Sequence, residues 1–272
     1  HLATTRGGRR RVMFRKSEAI EIKSVDEIAL MREAGLVVAR TLRTIHDQIA
    51  AGMTTADLDA LARESISSHG AEPSFLGYHG FPAVICTSVN EEVVHGIPGE
   101  RVINAGDIVS VDCGAIVEGW HGDAAISILV GEVTDAVRRL SETTQAAMWA
   151  GLTQAREGNR LSDIGSAVET CIRDAGDYGI VEEYVGHGIG SAMHMHPPVP
   201  NYGRAGKGPR LEVGMALAIE PMATLGSPRV QVLDDEWTVV TGDGAVAAHW
   251  EHTVAITDDG PWVLTSIEGT HL

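Results

Sequence analysis

The sequence predicts an α+β fold built from two similar halves, and two observations lead to this prediction. Helix-like patterns precede strand-like runs in residues 24–130, and the same order returns in residues 134–260. Three residues of the first half recur 106 positions later: Gly52, Asp57 and Gly70 return as Gly158, Asp163 and Gly176. An internal duplication explains this spacing, with two helices and a small antiparallel sheet segment in each pseudo-symmetric half.

The first half begins with a helix whose start is marked by a capping box at Ser24–Glu27. Apolar residues then recur at helical spacing and define one buried stripe: Ile28, Met31, Gly35, Val38, Leu42 and Ile45. A second helix is expected from about Thr55 to Gly70, because glycine commonly ends a helix. Three β-rich runs follow and are predicted strands, at residues 83–89, 108–114 and 124–130.

The second half is expected to repeat this order. Helices are predicted at residues 134–157 and 162–176, and strand-like runs follow at 216–221, 229–233 and 253–257. No linker rich in proline, glycine or serine separates the halves, so we expect one catalytic domain over residues 18–272. The basic segment at residues 1–17 is expected to be a disordered arm or an added extension.

Composition excludes several classes of protein. The net charge of −16 argues against stable binding of nucleic acid. No apolar run reaches the length that a membrane span needs. Three widely spaced cysteines form neither a disulfide framework nor a CxxC metal site, which favours a reduced, cytoplasmic setting.

Four carboxylates adjoin the apolar strand-like runs, where acidic residues are unusual. Asp112 ends "IVSVD", Asp123 opens "DAAISILV", Glu220 ends "ALAIE", and Glu251 lies in "AHWEHTVAIT". Surface carboxylates at strand ends are the alternative for any single one. No Lys or Arg lies within three residues of any of the four, so we expect a divalent cation to neutralise them. Two metals suit four acids better than one, because bridging carboxylates hold a metal pair that activates a shared water.

Three histidines lie within ten residues in "VGHGIGSAMHMHPP". His187 is the candidate metal ligand, since its flanking glycines allow close approach of the backbone. His194 is seven residues further along and is expected to donate a hydrogen bond to the substrate. His196 is assigned no role, and an exposed or structural position is the simpler interpretation.

The chain resembles the type I methionine aminopeptidases, metallopeptidases of the M24 family that share the pita-bread fold. The resemblance runs from about Ser24 to Glu268 and is carried by "FLGYHGFPAVICTSVNEEVVHGIPG", "VDCG", "WHGDAA", "GHGIG", "IEPM" and "EHT". Only 32 residues separate His187 from Glu220, whereas type II enzymes carry an insertion there. The resemblance implies hydrolytic removal of initiator methionine from chains whose second residue is small.

The resemblance also implies a role for each metal-site residue. Asp112 would bind one metal, and Asp123 and Glu251 would bridge both. His187 and Glu220 would complete the ligand set of the second metal. Glu220 would also pass a proton to the leaving amine.

By the same resemblance, His95 in "VVHGIPG" and His194 would contact the substrate beside the metals. The pocket for the methionine side chain would be formed by five residues: Tyr78, Phe81, Cys86, Met193 and Trp237. Met193 stands where phenylalanine is common in the family, which leaves the pocket width open. The glycines of "GHGIG" and "HGIPG" are expected to bring the backbone close to the substrate and to leave little room for its second side chain.

The implied cofactors are two divalent ions, with Co, Mn or Fe favoured over Zn by the oxygen-rich ligand set. Metal affinity is expected to fall as the pH drops through the histidine range near about 6.5. The implied partners are nascent protein N-termini that begin with Met, and also the ribosome, for a monomeric cytoplasmic enzyme.

Two alternatives remain. One is a proline-specific peptidase of the pita-bread fold, a class that usually carries an extra N-terminal domain, whereas only 23 residues precede Ser24. The other is a pita-bread binding protein that has lost catalysis.

Overall fold

The computed structural model describes residues 19–272, so the predicted basic arm lies outside the described residues. The described chain contains four α-helices: α1 (Val25–Gln48), α2 (Thr55–Ser68), α3 (Asp135–Leu152) and α4 (Leu161–Ala175). Its strands are β1 (Glu72–Pro73), β2 (Ile85–Val89), β3 (Glu92–Val94), β4 (Ile108–Val117), β5 (Trp120–Leu129), β6 (Gly179–Ile180), β7 (Gly186–Gly188), β8 (Met195–Val199), β9 (Ala216–Ile219), β10 (Met222–Thr224), β11 (Val230–Val232), β12 (Val239–Thr241), β13 (Ala247–His249), β14 (His252–Thr257) and β15 (Gly260–Val263). This content confirms the predicted α+β class.

Helix α1 starts where the capping box predicts. The backbone N–H of Ser24 donates to Glu27 Oε2 at 2.7 Å, and the Glu27 N–H donates to Ser24 Oγ at 3.3 Å. The whole predicted stripe of α1 is buried. Gly35 is required in this stripe, because a Cβ there would lie 2.2 Å from the carbonyl oxygen of Leu264.

Helix α3 is shorter than predicted and ends at Leu152 rather than near Glu157. Beyond it the N–H groups of Gln154 and Ala155 donate to carbonyls three residues back, which tightens the chain into turns. This change of path lets Ala155 join the buried apolar cluster that contains Leu152. None of the helices in residues 19–272 has the length and apolar character needed to cross a membrane.

Each half of the chain packs two helices on an antiparallel sheet. In the first half, β4 pairs with β5 on one side and with β1 and β2 on the other. In the second half, the strand order is β15-β14-β9-β7-β8. Buried residues of α1 and α2 share a core cluster with the first sheet, and residues of α3 and α4 share one with the second.

The two halves are joined directly. Strand β3 of the first half pairs with β12 of the second half. An isolated bridge links Ala125 in β5 to Glu251. Thr253 Oγ1 donates to the carbonyl oxygen of Asp123 at 2.7 Å and accepts its N–H at 3.1 Å. These contacts bring the acidic residues of the two halves together at the boundary between the halves, which we call the seam.

Candidate metal centre

The first half supplies two carboxylates from a single hairpin. Asp112 pairs with Ala125, and Gly114 pairs with Asp123, so both aspartates lie on one face as diagonal neighbours. The alternative of surface carboxylates at strand ends does not hold for these two, because β4 and β5 each run for ten residues and carry them in their interiors.

The second half supplies three residues from short strands. His187 in β7 pairs with Ala218 in β9, and Glu220 follows β9 directly. His252 pairs with Ile219, which brings Glu251 opposite Glu220 at the end of this ladder. The backbone groups of Glu251 and Ala125 exchange hydrogen bonds of 2.9 and 3.3 Å, which attaches Glu251 to the first sheet.

The side chains converge closely. His187 Nε2 lies 3.4 Å from Glu220 Oε1 and 3.8 Å from Asp123 Oδ2. One ligand atom from each of Asp123, His187 and Glu251 lies within 4.8 Å of the other two. Asp112 lies near enough to Asp123 for each carboxylate to affect the pKa of the other. The structure therefore brings all five predicted ligands to one site.

The imidazole of His187 is oriented for metal binding. Its Nδ1 lies 2.9 Å from the carbonyl oxygen of Gly188, which can only accept, so Nδ1 carries the proton. The lone pair of Nε2 consequently faces the carboxylates. Burial lowers the pKa of His187 to about 4, which keeps the ring neutral at physiological pH, as metal binding requires.

The carboxylates lack partners that could stabilise their charge. Asp112 Oδ1, Asp123 Oδ1 and Glu251 Oε1 are buried and accept no hydrogen bond. Burial, followed by the charges of neighbouring acids, raises the pKa of Asp112, Glu220 and Glu251 well above the ordinary range. Gathered oxygen atoms without a counter-charge are what a divalent cation stabilises, so this donor set fits one.

The pKa of Asp123, rather than that of His187, lies near the pH at which metal affinity is expected to fall. Burial raises it to about 7, whereas His187 stays neutral down to about 4. The proton that competes with metal near neutral pH is therefore carried by a carboxylate rather than by an imidazole. The fall in metal affinity near pH 6.5 stays a prediction, and Asp123 rather than His187 is the group whose pKa lies in that range, because burial moves the two groups in opposite directions.

The two histidines predicted to contact substrate lie beside this cluster. The His194 ring is 4.3 Å from that of His187, and its Nδ1 lies 2.9 Å from Tyr78 Oη. His95 has a φ of 61° and packs its ring 5.5 Å from that of Tyr184. His196 has interaction partners in the fold and is assigned no catalytic part.

All five predicted pocket residues fall in one apolar cluster. The rings of Phe81 and Trp237 meet edge to face at 5.0 Å. Sequence reasoning missed three further members of the cluster, Phe75, Ala83 and Ile97, which have no chemical signature beyond being apolar. Cys86 in β2 pairs directly with Asp112, so this pocket and the metal cluster are adjacent.

The glycines of "GHGIG" are required for strand packing. A Cβ on Gly186 would lie 2.2 Å from the carbonyl oxygen of Ala218, and one on Gly188 would lie 2.1 Å from that of His196. A Cβ on Gly96 in "HGIPG" would lie 2.0 Å from the carbonyl oxygen of Thr87. Gly96, Gly186 and Gly188 therefore allow close packing of neighbouring chain segments, and the narrowing of the substrate pocket by these segments stays a prediction.

One residue of the cluster was missed by the sequence. His249 is 1% exposed, and its Nε2 lies 3.5 Å from Glu220 Oε2. Ligand atoms of Glu220, His249 and Glu251 also lie within 4.8 Å of one another. The available signal was its position two residues before Glu251, since residues two apart on an extended chain share a face.

Comparisons with known proteins agree with this geometry. The sequence profile of metallopeptidase family M24 matches residues 29–258. Methionine aminopeptidase 1 of Mycobacterium tuberculosis is 52% identical over 258 residues, which cover 93% of this chain and 97% of that protein. The crystal structure of a methionine aminopeptidase from Thermotoga maritima superposes with a TM-score of 0.89 at 41% identity, covering 91% of this chain and all of that one.

A more distant likeness shows the fold alone. Prolidase from Pyrococcus furiosus superposes with a TM-score of 0.73 at 23% identity, covering 90% of this chain and 65% of that one. The predicted pita-bread fold is confirmed by these structural likenesses.

Proposed function

The chain belongs to metallopeptidase family M24 and within it to the methionine aminopeptidases, and from this membership we propose that it removes N-terminal methionine from proteins and peptides. The observation that carries the proposal is the buried cluster of carboxylates beside His187, whose oxygens lack partners. The likeness to prolidase is one of fold and gives no support to the proline-specific alternative.

The metal ligands in this proposal are Asp112, Asp123, His187, Glu220 and Glu251. Divalent metal use follows from the family and the donor set, and we propose two ions, with Co, Mn or Fe preferred over Zn. When bound, such ions lower the pKa of a shared water and polarise the scissile carbonyl.

The protein groups hold the substrate and move a proton. Glu220 lies at the edge of the cluster with one oxygen towards His187, where it takes a proton from the attacking water and returns it to the leaving amine. His194 is held by Tyr78 and His95 directly follows β3, and both donate to the substrate around the scissile amide. This arrangement keeps the proton transfer within one cleft.

The apolar cluster receives the methionine side chain. It adjoins the metal cluster through the Cys86–Asp112 pair, so a side chain bound there places its carbonyl near the carboxylates. A thioether suits this lining, because sulfur packs well against aromatic rings such as those of Phe81 and Trp237.

The wider setting is proposed on the resemblance to methionine aminopeptidases. We propose nascent chains as substrates, the ribosome as a further partner, and a monomeric enzyme in the cytoplasm. The requirement for a small second residue has the same basis.

A panel of Met-X-Ser peptides, with X varied from Gly to Trp, tests the function. Met-Ala-Ser and Met-Gly-Ser are expected to be cleaved at least about 10-fold faster than Met-Phe-Ser, since an oversized side chain costs roughly 1–3 kcal/mol of strain. Ala-Ala-Ser is the control for the first residue, and chelator-treated enzyme is the control for the metal. Equal cleavage of Met-Ala-Ser and Ala-Ala-Ser would refute methionine specificity, and preferential cleavage before proline after a first residue other than Met would establish the prolidase-like alternative.

A further inference from the structure

His249 is a buried imidazole that the proposed mechanism does not use. Its side chain is almost fully enclosed, yet Nε2 makes no hydrogen bond. An enclosed polar nitrogen without a partner destabilises the fold unless something at the site satisfies it. The nearest carboxylate oxygen is Glu220 Oε2, at 3.5 Å.

The position of His249 is fixed by both halves of the chain. In β13 it pairs with Met222 of β10, which lies two residues after Glu220. Ser127 Oγ of β5 accepts the His249 N–H at 3.0 Å and donates to its carbonyl oxygen at 2.9 Å. Ser127 is itself bonded to Ser110 of β4 at 2.8 Å. The backbone of His249 is therefore held at a defined place beside Glu220.

Glu220 lies between two imidazoles. Its Oε1 is 3.4 Å from His187 Nε2 and its Oε2 is 3.5 Å from His249 Nε2. His187 presents a lone pair from Nε2, so it cannot donate to Oε1, and a shared cation accounts for that contact. Oε2 then needs a hydrogen-bond donor, because carboxylates that bind metal are themselves hydrogen-bonded on the other side.

We propose that His249 is a positioning residue for Glu220, donating from Nε2–H to Oε2 so that Oε1 alone is presented to the metal. This inference rests on the metal site of the proposed function. It gives the buried Nε2 of His249 a hydrogen-bond partner and sets the orientation in which Glu220 handles its proton. A small rotation of the imidazole improves the alignment of a contact that is already at 3.5 Å.

Direct metal binding by His249 is the competing explanation. Ligand atoms of Glu220, His249 and Glu251 are close enough to surround an ion. With one ion there and another at Asp123, His187 and Glu251, the buried Oδ1 of Asp112 would stay without a partner. The positioning role leaves both ions available to the four carboxylates, so the structure favours it.

Two substitutions separate the hydrogen bond from the bulk of the ring. His249→Gln keeps a side-chain N–H donor, and His249→Leu has a similar size without any donor. Titration with Mn(II) by calorimetry at constant pH measures affinity, and kcat and KM are measured on Met-Ala-Ser. Melting of the metal-free proteins shows whether either change disturbs the fold.

His249→Leu is expected to bind Mn(II) with 10–100-fold lower affinity, or to lose about as much in kcat, as is usual when a partner of a metal ligand is removed. KM should stay unchanged. The metal-free Leu variant should melt at or above the wild-type temperature, because it removes an unpaired buried nitrogen. His249→Gln should restore both affinity and kcat.

Three results would overturn the proposal. Wild-type affinity and kcat in His249→Leu would show that the hydrogen bond has no role. A Gln variant as weak as Leu, with altered visible absorption of the Co(II) form, would identify His249 as a ligand. If the Leu variant does not fold, His249→Ala replaces it, and wild-type Mn(II) binding there would equally refute the role. Wild-type enzyme that binds Mn(II) but leaves Met-Ala-Ser intact would refute the proposed function, while the affinity comparison would still test His249.

Discussion

The metal cluster and the apolar pocket are neighbours with opposite character. They meet where Cys86 pairs with Asp112, yet one holds buried carboxylate oxygens without partners and the other is packed by aromatic and sulfur-containing side chains. The cluster is incomplete without cations, whereas the pocket is formed by the fold alone. Changes in the cluster should therefore alter metal binding and kcat, and changes in the pocket should alter KM and the choice of first residue.

The largest effect is expected from Glu251→Gln. Glu251 is 1% exposed and attaches to both sheets, so the change removes one charge from the centre of the cluster with little change of shape. Metal content should drop by at least one ion, and kcat/KM should fall by more than about 10³-fold, since metal catalysis supplies several kcal/mol. Metal analysis and peptide kinetics check this.

Glu183→Gln is the matched control, because Glu183 is exposed on the loop before His187. It should retain full metal content and activity. A Glu251→Gln variant with the metal content of that control would contradict the role of Glu251 as a ligand.

Glu220→Gln should lower kcat by at least about 10²-fold, the usual loss when a general acid–base group is removed. KM should change little, since Glu220 is not part of the apolar cluster. Stopped assays at saturating Mn(II) separate this from weaker metal binding. Near-normal turnover would refute the proton-transfer role.

The dependence of metal binding on pH is a further property that the metal cluster has and the apolar pocket lacks. Burial raises the folded-state pKa of Asp123 from 3.8 to about 7. The protonated carboxyl of Asp123 therefore stabilises the metal-free protein. This contribution is fully present below about pH 4 and is lost as the pH rises through about 7. Mn(II) replaces that proton, so the rise in melting temperature on adding metal should grow from pH 5 to pH 8.

Melting curves with and without Mn(II) measure this difference. Buried neutral histidines, including His187 and His249 with pKa values lowered by burial to about 4 and about 3, destabilise the protein as the pH falls below about 6.5. Their effect on the fold acts with and without metal, so it largely cancels in the difference. A metal-induced shift that stays constant across this range would contradict the assignment.

The sequence was most informative where one residue type conflicts with its surroundings. Carboxylates in apolar runs identified Asp112, Asp123, Glu220 and Glu251 before any contact was known, because burying charge demands a partner. The capping box and the buried apolar stripe of α1 were predicted equally well, because both depend on local spacing.

Short strands account for most of what the sequence could not show. β7 and β13 have three residues each, too few for a period to be recognised, yet they place His187 and His249 at the seam. The glycines of "GHGIG" were predicted to line a cleft, but their close contacts are with distant strands that no local pattern reveals. Long-range pairing thus decides which of twelve histidines reach the site.

The smallest effect is expected from Met193→Ala in the apolar pocket. Met193 is 4% exposed and packs its side chain in the cluster with Phe81 and Cys86, and the substitution leaves its backbone, which contacts His187, in place. Shortening it removes contacts with the bound side chain, so KM for Met-Ala-Ser should rise by about 10-fold, as expected for a loss of roughly 1.4 kcal/mol in a hydrophobic pocket. Metal affinity and kcat should remain those of the wild type. Peptides with a bulkier first residue should be cleaved faster, relative to peptides that begin with methionine, than they are by the wild type. A fall in metal content with unchanged KM would show that pocket and cluster are not separable in the way their chemistry indicates.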